Sequence, residues 1–181
     1  MIDFRHSTHS ENWLFTKAQL AQLLKDKDAS QIRQIAQSMT PDMISKVTVG
    51  DTVEKKAAQF LIKPDLEEKI VADFCERIKK EFAQFTSNVL CIAMAFLQRF
   101  FLFESVFCHS PENIAYACLY LAAKLEEMNY TANHFCQALK LDPAQVNLVA
   151  HEQILMEGLK FDLHIHTPLA SIDALIKLLS L

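Results

Sequence analysis

Few groups in this 181-residue sequence are placed to do chemistry: five cysteines, a histidine pair and some charged residues at the ends of apolar runs. Cys75, Cys91, Cys108, Cys118 and Cys136 form no CxxC pair, and none sits in a signature that would activate a thiol as a nucleophile. His164 and His166, two residues apart, would share one side of an extended chain and could hold a metal there. No third ligand follows at a useful spacing, so they read as linker histidines. Lys124 closes one apolar run and Glu152 stands in a later helical stretch. An ammonium offers three donors to a partner's carbonyls, and a carboxylate accepts from backbone N–H groups. Taken alone, they are a lysine favoured by the dipole of a last helical turn and a carboxylate on a solvated face. No acid, base, nucleophile or metal set assembles, so no catalytic residue, metal or cofactor is assigned and the chain is not read as an enzyme.

Composition narrows the class further. Two glycines in 181 residues exclude a Gly-rich phosphate loop, a dinucleotide fingerprint and a many-turned β-sandwich. A net charge of −4, with basic residues scattered singly or in pairs, argues against nucleic acid as a partner. The longest apolar stretches, 89–97 and 114–123, are too short to span a bilayer and run into Arg99 and Lys124. The first residues carry neither a signal peptide nor a transit sequence. An odd number of cysteines inside apolar runs then reads as reduced core thiols of an intracellular chain.

The elements that must position these groups are helices. Thr16 with Gln19, Asp51 with Glu54 and Asp142 with Gln145 each have the spacing of a capping box. Ser110-Pro111, Asp142-Pro143 and Thr167-Pro168 place a capping side chain before a proline at the first helical position, where the missing N–H costs nothing. The spacing predicts helices over 16–25, 28–39 and 51–62. A helix from Asp65 follows, with Leu66, Ile70, Val71, Phe74, Cys75, Ile78, Phe82 and Phe85 in one stripe. Helices over 87–102 and 111–127 are apolar nearly all round and belong at the centre of a bundle. Helices over 131–140 and 143–159 and one starting at Pro168 complete an all-α chain.

Three pieces of this pattern resemble the cyclin box. They are Phe96-Leu97-Gln98-Arg99-Phe100-Phe101, the run from Ile114 into Lys124-Leu125-Glu126-Glu127, and His151-Glu152 followed by Leu159-Lys160-Phe161-Asp162-Leu163. The segment around Trp13 and the start at Lys63-Pro64-Asp65 extend the likeness, and Gln98 stands where cell-cycle cyclins carry Asp. The likeness is therefore to the transcription-type branch, the H type first and the C type second. It implies a five-helix cyclin box at 64–163, an N-terminal helical extension at 1–63, and at 164–181 a linker with the first helix of a second box, truncated or absent.

The resemblance also implies roles. Lys124 and Glu152 fall where cyclins hydrogen-bond the kinase backbone, with Leu125, Met156, Phe161 and Leu163 as the apolar part of that surface. Arg99 and Trp13 are expected to be structural, Arg99 holding helix ends through carbonyls. The implied function is a nuclear regulatory subunit that binds a cyclin-dependent kinase catalytic subunit and holds its αC helix in the active position. A RING-type assembly factor is a further candidate partner; nucleic acid and membrane are not. The alternative is a cyclin-fold adaptor or decoy in transcription that binds a protein without activating a kinase.

Overall fold

The computed structural model describes residues 4–46 and 52–179, and helices are the only regular elements among them. A 3-10 turn at Phe4–His6 leads to α1 (Thr8–Asn12), whose Ser7 cap accepts from the Ser10 N–H. Next comes α2 (Lys17–Ser38), opened by the Thr16–Gln19 capping box with both of its reciprocal bonds. Two helices were expected in this stretch, yet the chain forms one. No glycine or proline interrupts 25–28, and Lys27 is anchored in mid-helix by partners elsewhere in the fold.

The segment after α2 is more broken than its sequence suggests. It forms α3 (Pro41–Lys46), α4 (Val53–Ala57) and a 3-10 turn at Ala58–Phe60. Asp51 of the expected capping box lies outside the described residues; α4 opens on Thr52, whose hydroxyl accepts from the Lys55 N–H. Ile35, Met39 and Ala57 make a small core here, separate from the main one.

The main core lies between α5 (Pro64–Glu81), α6 (Ser87–Phe103), α7 (Pro111–Leu125), α8 (Ala132–Ala138), α9 (Pro143–Val146) and α10 (Leu148–Gly158). The single stripe of α5 buries Val71, Cys75 and Ile78. Phe96, Leu97 and Phe100 of α6 and Ile114, Cys118 and Leu119 of α7 are fully enclosed, as expected of helices apolar on all sides. The helix expected over 143–159 is interrupted at Asn147, which takes a left-handed conformation (φ 40°) between α9 and α10. Asparagine accepts that region more readily than most residues. Gly158 is set by packing: a Cβ there would come within 2.6 Å of the buried Phe100 ring. Beyond α10 the chain reaches α11 (Leu169–Leu179), with Thr167 tied to Asn88 of α6 at 2.7 Å.

A buried polar cluster fastens α2 to this core. The Lys27 ammonium donates to Glu67 Oε2 at 2.5 Å and to the Phe101 carbonyl at 2.8 Å. Glu67 Oε1 accepts from the Ser105 hydroxyl and from the Val106 N–H. A buried ion pair is tolerated when its remaining donors and acceptors are satisfied in this way. Cys75, Cys118 and Cys136 are buried, and burial pushes the Cys75 thiol up to about 11 and raises Cys118 as well. The expectation of core thiols fails at Cys108, which is exposed with its thiol near Gln34. Among the described residues no helix is long and apolar enough to cross a membrane, and no three His, Cys, Asp or Glu side chains gather as metal ligands.

Candidate functional site

The α7 and α10 helices pack side by side and bring Lys124 and Glu152 together. The Lys124 Nζ lies 2.6 Å from Glu152 Oε1, in the last turn of α7 and the middle of α10 respectively. Their exposures differ: 45% for the Lys124 side chain and 9% for Glu152. Glu152 is therefore not the solvated residue its sequence neighbourhood suggests. The ammonium also lies 5.1 Å from the centre of the Tyr120 ring, one turn back on α7. One donor goes to Glu152, and an ammonium has three.

The apolar side chains expected on the same surface differ in exposure. Leu125 is 42% exposed and Phe161 67% exposed. Met156 and Leu163 are half-buried and pack on the main core. Lys160 and Phe161 both have left-handed backbones (φ 54° and 57°), a conformation that disfavours non-glycine residues. It follows from the turn closing α10, where the Phe161 N–H reaches back to the Met156 carbonyl. The aromatic ring is thus left in solvent at the tip of a strained turn. Sequence reading missed Val149, which is 60% exposed one helical turn before Glu152; its 149–152–156 spacing was the available signal.

Arg99 and Trp13 meet at Asp162, the residue after that turn. The Arg99 guanidinium lies 4.4 Å over the Trp13 ring, and its Nη1 donates to the Asp162 carbonyl at 3.4 Å, while Nη2 is buried without a partner. Burial lowers the Arg99 pKa, with the Asp162 charge acting in opposition. Asp162, read in the sequence only as a link residue, is the hub. Its carboxylate accepts from the Thr8 hydroxyl, the Asn12 amide and the Trp13 indole at 2.7, 3.1 and 2.9 Å. Burial opposes its charge, but these donors and Arg99 together hold its pKa below the ordinary carboxylate range. No local pattern marks such a hub, because its donors lie about 150 residues away.

Known proteins share both the sequence and the architecture. The family profile described as Cyclin, N-terminal domain, matches residues 40–164. Cyclin-H1-1 of Arabidopsis thaliana is 27% identical over 190 residues, covering 97% of this chain and 55% of its own. Cyclin CCL1 of Saccharomyces cerevisiae is 27% identical over 168 residues, covering 91% and 42%. A chain in the CAK complex of Chaetomium thermophilum bound to ATP-gamma-S superposes with a TM-score of 0.79 at 21% identity, covering 98% of this chain and 53% of that one. One in the yeast TFIIK (Kin28/Ccl1/Tfb3) complex gives 0.68 at 24%, covering 95% and 62%. The chain spans about half the length of these curated relatives. With the helical bundle around α6 and α7 and a profile match across most of the sequence, the chain belongs to the cyclin family, through its N-terminal domain.

Proposed function

We propose that this chain is a cyclin-type regulatory subunit that binds a cyclin-dependent kinase of the CDK-activating, transcription-associated kind and activates it. Residues 64–163 serve as the kinase-binding box, 1–63 as a helical extension, and 164–181 as a linker with the opening helix of a second box. The relatives in support are cyclins of the H type, and the structural neighbours come from complexes named CAK and TFIIK.

The observation that carries the proposal is the α7–α10 face. It carries an ion pair with one member buried, Leu125 beside Lys124 and Val149 one turn before Glu152 are exposed, and Phe161 is exposed in the turn that closes α10. Lys124 and Glu152 set register by meeting backbone groups of the kinase, and the apolar side chains supply affinity. A kinase is active when its αC glutamate pairs with the β3 lysine. Shifting an αC equilibrium from 1:99 to 99:1 needs about 5.5 kcal/mol of differential binding. Full burial of a Val, Leu or Phe side chain contributes about 1.5–3 kcal/mol, so three newly covered side chains reach that magnitude. The subunit itself supplies no catalytic group. Tfb3 is the third component of the yeast complex, and a RING-type assembly factor enters the proposal as a third partner. Nuclear location goes with the transcriptional role.

The test is co-purification from a lysate followed by a kinase assay, with wild type and the Lys124→Ala/Glu152→Ala double variant. Capture of a cyclin-dependent kinase that gains activity, and its loss in a folded double variant, supports the reading. Undiminished capture by the double variant refutes the site. Capture without activation refutes the activator role and leaves the decoy reading.

A further inference from the structure

Three histidines meet where the N-terminal segment lies on the linker between α10 and α11. The His9 Nδ1 accepts from the His166 backbone N–H at 3.2 Å. The Nε2 atoms of His164 and His166 are 3.1 Å apart. Phe4 packs edge-on against His9 and His166, at 5.3 and 5.5 Å between ring centres. The linker is fixed at its far end by Thr167 on Asn88, so any separation must move the N-terminal segment.

This geometry dictates protonation. A ring nitrogen that accepts a hydrogen bond carries no proton, so His9 must lack a proton on Nδ1. The charged groups facing His9 are Arg99 from α6 and Asp162, His164 and His166 from the linker. Burial is the main cause lowering the His9 pKa, followed by Arg99 and His166. The Asp162 charge acts the other way, but its oxygens already accept from Thr8, Asn12 and Trp13.

We propose that docking of residues 4–13 on the 162–167 linker is a pH-sensitive latch, closed at neutral pH and opened by mild acid through His9. It stands whether or not the chain binds a kinase. The folded His9 prefers the neutral form, so docking is fully supported above the free-chain pKa of about 6.5 and weakens as pH falls through it. At pH 5.5 a free imidazole is protonated about ten to one, so a docked His9 that keeps Nδ1 unprotonated weakens docking by at most about tenfold.

Trp13, the single tryptophan, reports the latch because its indole leaves Arg99 and Asp162 when the segment lifts. The experiment follows Trp13 emission of the purified chain from pH 7.5 to 5.0, in wild type and in the His9→Gln/His166→Gln variant. Proton NMR titration of the wild-type imidazoles runs alongside. A red shift below pH 6.5 in wild type, absent in a variant whose emission matches wild type at pH 7.5, is the expected result. Should the variant be undocked at every pH, the NMR decides: His9 titrating below 6.5 supports the latch, and titration at or above 6.5 overturns it. A wild-type emission spectrum that does not move across the range also overturns it.

Discussion

Replacing Phe161 separates folding from recognition. The ring is 67% exposed and is absent from the residues packed on the main core, while its backbone sits at φ 57°. Left-handed backbone costs a non-glycine residue about 1–2 kcal/mol, which Phe161→Gly relieves and Phe161→Ala does not. Glycine gives back about 0.4–1 kcal/mol through the freedom it adds to the unfolded chain. Little packing is lost with the ring, so Phe161→Gly should stay within about 1 kcal/mol of wild type, or about 2–4 °C in Tm. Phe161→Ala should be less stable than Phe161→Gly. Binding should respond differently. If the ring is buried by the kinase, both variants lose about 2 kcal/mol of affinity, close to thirtyfold in Kd. Thermal unfolding and titration of a cyclin-dependent kinase measure the two quantities on the same samples. Unchanged affinity in both variants, or a Phe161→Gly chain that melts more than 8 °C below wild type, would refute the reasoning.

Other outcomes follow from the buried groups. Lys27→Met leaves the Glu67 carboxylate enclosed without its ammonium and should cost about 3–5 kcal/mol in chemical denaturation, with Lys27→Met/Glu67→Leu recovering much of it. Gly158→Ala drives a methyl against the fully enclosed Phe100 ring and should destabilise by about 1–3 kcal/mol, read by the same assay. Asp162→Asn should red-shift Trp13 emission already at neutral pH, since it removes the charge that Thr8, Asn12 and Trp13 share. Because the folded Asp162 pKa is depressed, its contribution persists above the ordinary value of 3.8 and is lost as pH falls through the folded value. The carboxylate therefore still holds at pH 5.5, where an imidazole of the undocked chain is already protonated.

What local pattern encodes was readable from the chain. Thr16 and Gln19 specify their helix start because a capping box needs only residues three apart. The α5 stripe and the all-round apolar α6 and α7 announce one-sided and central packing, since burial follows helical periodicity. With the motif pieces at Arg99, Lys124 and Glu152, that was enough for an all-α class and a family likeness.

Tertiary structure decided what depends on partners distant in sequence. Whether 16–39 is one helix or two depended on Lys27 finding Glu67 and the Phe101 carbonyl, 40 and 74 residues away. Glu152 became a buried acceptor because α10 lies along α7, and Asp162 became a hub because the N-terminal segment folds back over it. A hydrogen bond has a reach of about 3 Å and is indifferent to separation along the chain, so only the packed fold determines which polar groups meet.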